Sequence, residues 1–568
     1  MRYRISLVCV LLRTLFLVTL VPSPAHAQTA QDPLGPVDHL ALKLEADARW
    51  QTGDHAGAVP LYEKLVAAYP QGGDSMFRLA RGLHEMGRTS DALPFAQRAL
   101  EEGFADIEAT ALVLAQAMAQ AGEREAAMAW LERALAAPLG DRPSLKRDDA
   151  FAELREDAQF RRIAGFAPAD LKDRIAGWRY DLRFFVDEAR RLHAAPDRRA
   201  LSPAFAAAVA ALSERVPELD DVAIAVELQR IIAEQLADGH SRIRPAPTAR
   251  VPFPGMLPLE FYFFSDGLFV IGATQDHADL IGRRVLAIGD KPVDDILLDL
   301  APFVSRDNDQ GLLWLGPVYL RNPGFLRAMG YADTLDRVSL RLDAQDGPRS
   351  VELAAEPPQS LSFSLRPAPA RIPPRWQARS DEPYWHESLP TVSAVYLQFN
   401  QVLDADHGPS IGEFARLVRN TIEKTSARNL IIDVRHNSGG DNFLHWPLTR
   451  LAAWHGLASD AHRTFVITGR ATFSACQDFL NFLDRGTDAI FVGELSSSRP
   501  NFVGEDTSVE LPWSGLRLSI SSRWWQDSYP TDLRPYIPLS MPVALSSAEW
   551  LAGRDPVLDA LTQYLSRN

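Results

Sequence analysis

Gly53, Gly87 and Gly122 stand 34 and 35 residues apart, and each is followed five residues later by an alanine: Ala58, Ala92 and Ala127. Tyr62, Ala96 and Leu131 recur at one further offset, and Leu65, Ala99 and Ala134 at another. Self-similarity at such a period means stacked supersecondary units, because one helix pair cannot bury its own apolar face. The small residues let paired helices approach closely, and the glycines serve the turns. An Ala-rich helical bundle is the plainer alternative. Either way residues 38–138 are helical and carry no chemistry, so any reaction belongs to the remaining chain.

The period resembles the tetratricopeptide repeat, whose usual length is about 34 residues. The resemblance implies an array over 28–140 whose concave surface docks a protein partner or a large substrate. The chain has 568 residues, enough for about three or four domains. Its formal net charge of −14 argues against a general nucleic-acid binder, which needs a basic surface.

Residues 1–27 read as a secretory signal peptide. Arg2 and Arg4 precede an apolar run from Ile5 to Leu20, and Ala25-His26-Ala27 fits a small-x-small cleavage site. Arg13 interrupts the run, which argues against a membrane anchor, and nothing around Cys9 looks like a lipidation box. Cleavage after Ala27 takes the charge to −17 and leaves Cys476 as the lone cysteine, so no intramolecular disulfide is expected. The expected location is periplasmic or secreted. No later segment has the ~20 uninterrupted apolar residues of a membrane span.

From 150 to 247 the pattern stays helical, ending in Leu236-Ala237-Asp238-Gly239-His240-Ser241 before prolines at 245, 247, 252, 254 and 258. A β-rich stretch covers 256–365. Its run from Leu280 to Val293 resembles the latter part of a PDZ domain, a module that binds extended peptides at a sheet edge. An ordinary β-rich insertion is the alternative. After prolines 367, 369, 373, 374 and 383, residues 384–568 turn α/β, with buried strands at Ala394–Phe399, Leu430–Val434, Phe465–Ile467 and Ala489–Val492.

Three segments could carry chemistry. Asp433-Val434-Arg435-His436-Asn437-Ser438-Gly439-Gly440-Asp441 follows a buried strand, and its adjacent glycines permit a tight turn with exposed amides. Alone, such a pair is usually only a turn. Thr472-Phe473-Ser474-Ala475-Cys476 lies at a strand-to-helix junction. There Ser474 serves either as an N-cap or as a presented hydroxyl, with the Ala475 amide beside it. Of the thirteen histidines, His240 has the most motif-like setting, although a lone histidine is more often structural. His436 and His445 lack a zinc-type spacing, and no phosphate-binding glycine loop occurs. Neither a metal nor a cofactor is therefore expected.

The order Gly-His-Ser, PDZ-like insertion, Asp-x-Arg-x-Asn-x-Gly-Gly and Thr-Phe-Ser-Ala resembles the tail-specific proteases, which include the C-terminal processing peptidases and the tricorn core protease. Gly493-Glu494, Pro500-Asn501 and Gly553-Arg554-Asp555-Pro556 add to the likeness, which covers about residues 170–568. It implies a multidomain α+β chain: helical repeat array, helical subdomain, PDZ-like β-rich insertion and a crotonase/ClpP-like α/β protease core. It also implies Ser474 as nucleophile and an oxyanion hole from the amides of Gly439 or Gly440 and Ala475.

In the processing branch a lysine downstream of the serine is the general base. Arg499 stands there, and no lysine follows Lys424, so that dyad is excluded. The tricorn branch uses a histidine, which maps onto His240. An orienting carboxylate falls near Asp532, with Asp527 and Glu505 as alternatives, and Ser241 is an auxiliary candidate. A carboxylate partner would raise the imidazole pKa and place the acid limb of activity at about pH 6 to 7. The implied function is an exported serine peptidase acting on a peptide or protein substrate. A non-catalytic peptide- or lipid-binding protein and a serine esterase are the competing readings.

Overall fold

The computed structural model describes residues 35–104, 106–136, 142–244, 249–251, 255–344, 346–363 and 373–567. The leader at 1–27 and the prolines at 245, 247, 252, 254, 367 and 369 lie outside the described residues. The chain is mixed α and β and divides into two compact units, one ending at Gly122 and one beginning at Glu123.

The first unit is a run of antiparallel helices: Pro36–Gln51, His55–Ala68, Gly73–Glu85, Thr89–Glu101 and Ile107–Gln120. The repeated glycines have the conformational role that their period suggests. Gly53, Gly87 and Gly122 sit at φ of 76°, 75° and 78°, where a side chain is disfavoured. Ala58, Ala92, Ala96 and Ala99 are fully buried between helices. The boundary differs from the one expected at 140. The helix Arg124–Ala136 belongs to the second unit, where Arg124 pairs with Asp157 at 2.6 Å and Glu132 accepts from Gln159 at 3.1 Å.

In the second unit a six-stranded sheet runs in the order Met541–Pro542, Ile490–Gly493, Arg463–Thr468, Asn429–Asp433, Ala394–Phe399, Tyr384–Leu389. All its pairings are parallel except the last. Both faces are covered, which is why the central strands read as unbroken apolar runs. Val395, Leu397, Leu430 and Ile432 face the helices Ile411–Thr425, Trp446–Leu457 and Ala475–Gly486. Tyr396, Ile431, Phe465 and Ile467 face Pro556–Arg567.

The remaining segments of this unit share a second core. The helices Arg174–Leu192, Pro203–Arg215 and Asp221–Ile231 bury their apolar faces with the β-rich segment and with a hairpin, Asn501–Glu510 and Arg517–Gln526, that follows the strand Ile490–Gly493 in sequence. The β-rich segment holds a two-stranded and a four-stranded antiparallel sheet, and the helices Ile296–Leu300, Asp309–Tyr319 and Pro323–Ala328 fall in sequence between the second and third strands of the latter. Residues 150–247 and 256–365, read from sequence as separate bodies, thus pack as one. The hairpin joins that body to the sheet, because Arg242–Arg244 pairs antiparallel with Arg517–Gln526.

Candidate active site

Two loops leave the carboxyl ends of neighbouring parallel strands, the position at which open α/β sheets present ligand-binding groups. The loop after Asn429–Asp433 is stiffened from below. Arg435 bonds Asp433 at 2.6 Å and Asp555 at 2.7 Å, and Tyr396 donates to Asp433 at 2.7 Å. Buried Asn437 donates to the Phe399 carbonyl at 3.0 Å and accepts the Gly439 amide at 3.0 Å. Its own carbonyl accepts the Phe473 amide at 3.1 Å, and Thr472 Oγ1 donates to the Val434 carbonyl at 2.9 Å. The two loops are therefore bound to each other immediately before Ser474.

Ser474 occupies a strained position, φ 55° and ψ −128°, ahead of the helix Ala475–Gly486. The Cys476 amide closes back on the Phe473 carbonyl at 3.1 Å, so the turn is of type II′ with serine where glycine is usual. Such a conformation costs on the order of 1–3 kcal/mol. It also frees the hydroxyl from the capping role, and Ser474 makes no side-chain cap. Its amide donates to Ser498 Oγ at 3.1 Å. The Leu495–Ser498 run thus backs the turn with buried hydroxyls.

Ser474 Oγ lies 3.1 Å from His240 Nε2. A π-helical turn at Ile232–Leu236 and a left-handed Ala237 bring His240 there. The ring is sandwiched between Phe473, 4.5 Å between centroids, and Phe502, 5.7 Å and nearly parallel. Burial pushes the imidazole pKa down to about 4, against the opposing charges of Asp238 and Asp506. The ring is neutral at ordinary pH. With its proton on Nδ1, Nε2 is free to accept from serine.

Among the described residues no carboxylate is hydrogen-bonded to the ring, which departs from the expectation. Asp532 accepts from Arg534 at 2.8 Å and from Ser528 at 2.6 Å, and it contacts no atom of His240 among the described bonds. Asp527 packs beside Asp478, and Glu505 is exposed. His240 Nδ1 is buried without a hydrogen-bond partner among the described residues, and the Val503 backbone lies beside the imidazole. The expected upward pKa shift is accordingly replaced by a downward one. Ser241 is also placed elsewhere: its hydroxyl donates to Ser521 Oγ at 3.2 Å and accepts the Ser521 amide at 3.0 Å, away from Ser474.

The glycine pair divides its roles. A side chain on Gly439 would lie 2.8 Å from Ser474 Cβ and 3.1 Å from the Ala475 amide nitrogen, so glycine keeps that space open. The Gly439 amide is taken by Asn437. The amides of Gly440 and Ala475 have no acceptor among the described hydrogen bonds. These two, beside the Ser474 hydroxyl, are the donors available for an oxyanion.

Other histidines and the cysteine have structural surroundings. His436 Nε2 bonds the Trp376 carbonyl at 2.9 Å, and buried His445 bonds Thr449 at 3.0 Å. Cys476 is fully buried, and burial holds its thiol pKa well above the usual range. No cluster among the described residues could hold a metal ion.

Sequence reasoning missed the support behind His240. Asp238 Oδ1 accepts the amides of His240 at 2.8 Å and Ser241 at 2.6 Å, while Oδ2 meets His193 Nε2 at 3.1 Å. Asp307, buried, accepts the Gly239 amide at 2.8 Å. Burial and the nearby charge of Asp238 raise the Asp307 pKa to about 7. The motif-like clustering around His240 points to Asp238, whereas no local pattern marks His193, Asp307 or Phe502.

Ser474 and His240 open into a cavity of about 570 Å³ whose other walls include Trp314, Val318, Tyr319 and Phe325.

The tetratricopeptide repeat family matches residues 49–113. Among solved structures the chain is similar to mature CPAF, at 13% identity and TM-score 0.49, over 69% of this chain and 97% of that one. It is also similar to the photosystem II D1 C-terminal processing protease, at 12% identity and TM-score 0.34, over 68% and 97%. The tricorn protease follows at 15% and 0.28, over 69% of this chain and 37% of its own. No curated protein sequence matches the chain.

Proposed function

We propose that this protein is a serine peptidase working through a Ser474–His240 dyad. The observation that carries the reading is the 3.1 Å approach of Ser474 Oγ to a neutral, buried imidazole, on a strained turn beside two free amides. His240 Nε2 takes the serine proton as Oγ attacks the scissile carbonyl. The Gly440 and Ala475 amides receive the charge that develops on the carbonyl oxygen, and the imidazolium returns its proton to the leaving amine. Phe473 and Phe502 hold the ring in place of a carboxylate. The remaining features extend the reading: export guided by residues 1–27 to a periplasmic or secreted location, and repeats that dock substrate or partner.

The test is covalent labelling. A fluorophosphonate probe is expected to modify the wild-type protein at Ser474 and to leave Ser474→Ala unmodified. Equal labelling of the two proteins would overturn the assignment.

A further inference from the structure

We infer that Arg242 is a specificity residue of this site, and that it receives a carboxylate of the substrate close to the bond that is cut. The inference rests on the peptidase reading and names the chemistry of its substrate.

Arg242 stands two residues after His240, at the start of the short strand Arg242–Arg244, where it is paired with Ser519 in register. It lines the same cavity as Ser474 and His240. Residues two apart on a strand share a face, so Arg242 and Arg244 are neighbours in environment but not in partnership. Arg244 is neutralised: it pairs with Asp506 and donates to Ser519 Oγ at 2.6 Å. The Arg242 side chain makes no hydrogen bond and no ion pair among the described residues, although its backbone pairs with Ser519.

The acids that could serve it are already committed. Asp506 is held by Arg244 and accepts Ser519 Oγ at 3.0 Å. Asp238 is held by His193, Ser521 and two backbone amides. Around Arg242 the cavity wall is otherwise largely apolar, with Trp314, Leu315, Val318 and Phe325. A guanidinium cannot shed its proton to escape such a place. Burial and the like charge of Arg244 both disfavour it, yet it stays half-buried and opens into the cavity. Asp506 and Asp238 lie near enough to favour its charge, yet neither bonds it, and the planar fork of arginine fits a carboxylate with two parallel bonds. The whole chain is acidic, with formal net charge −14, so a preference for an anion here is a local property working against the general field. The carboxylate belongs either to an Asp or Glu side chain or to the substrate's own C-terminus.

The experiment uses full-length Ser474→Ala, which reports binding without turnover. Titration calorimetry compares four matched octapeptides of Leu and Ala that carry a central Glu or Gln and a free or amidated C-terminus. A peptide bearing the recognised carboxylate is expected to bind about 10-fold or more tighter than the peptide with neither group. The Glu and free-terminus arms identify the source. Adding Arg242→Gln is expected to erase the difference, and Arg242→Lys to keep only part of it, since the charge stays and the fork is lost. Should Arg242→Gln fail to melt cooperatively, Arg242→Lys decides by the same comparison. Equal affinity for all four peptides, no binding of any, or a preference unchanged in both Arg242 variants would overturn the inference. Fluorophosphonate labelling of the wild type is read separately. Labelling without carboxylate preference sinks the inference alone, and carboxylate-dependent binding without labelling sinks the peptidase reading alone.

Discussion

Asp238 lies two residues before His240 and does not touch its ring: both carboxylate oxygens turn to the backbone amides of His240 and Ser241 and to the side chains of His193 and Ser521. The carboxylate fixes the segment that carries the histidine, whereas aromatic packing fixes the imidazole itself. His240→Ala and Ser474→Ala are therefore expected to lose comparable turnover, at least about 10³-fold in kcat/KM, because members of such a unit fail together. Asp532→Asn is expected to leave kcat/KM within about twofold, since it removes an Arg534 contact and nothing at the ring. A loss in Asp532→Asn approaching that of His240→Ala would show that the Asp532 loop reaches the imidazole during turnover.

The acid limb of activity follows from the sign of the histidine shift. The base must be unprotonated, and burial lowers its pKa to about 4. Activity is expected to persist through pH 5 and to fall as pH drops through about 4. Phe502→Ala lets water to one ring face, which should move the limb upward toward the unperturbed value of about 6.5. A wild-type limb already at 6 to 7 would contradict the buried setting.

Strain at Ser474 predicts an activity–stability trade. Glycine adopts φ 55° without penalty and alanine does not. Both Ser474→Gly and Ser474→Ala should be inactive, but the glycine variant should be more stable than the alanine variant by on the order of 1 kcal/mol. Urea unfolding midpoints compare them, and equal midpoints would remove strain from the account.

Asp307 makes stability fall as pH rises. Its folded-state pKa of about 7 exceeds that of an unfolded aspartate, so the native chain keeps a proton that the unfolded chain has released. Its contribution is whole below the ordinary carboxylate range and declines as pH climbs through about 7. Asp307→Asn cannot ionise and keeps an acceptor for the Gly239 amide. Relative to wild type it should gain stability on the order of 2 kcal/mol at pH 8, with the gap closing toward pH 4. Thermal melts at the two pH values decide, and a gap independent of pH would count against a titrating Asp307.

How legible these features are in sequence depends on how local they are. The Ser474 turn is compressed into one strand–turn–helix segment, and the period of Gly53, Gly87 and Gly122 exposes the repeats directly. Leu430–Ile432 reads as buried because both sheet faces are covered. The sequence points to Asp532 as the group orienting His240, but an acid in the right stretch of sequence can turn either way, and this one turns to Arg534. The direction of the histidine shift depends on Phe502, far along the chain, and no periodicity records that meeting. The helix Arg124–Ala136 keeps the repeat's spacing yet joins the second unit, since Asp157 and Gln159, beyond the repeat, hold it.

The hairpin that encloses His240 has a consequence for the timing of synthesis. His240 and Ser474 are separated by 234 residues, and Phe502, which covers one face of the histidine, comes later still. The strand beside His240 finds its partner only in Arg517–Gln526. A chain still emerging from the ribosome therefore carries Ser474 before it has the wall that seats His240. On the proposed reading, a C-terminal truncation ending before Phe502 is expected to lack activity, because the wall that seats His240 is missing.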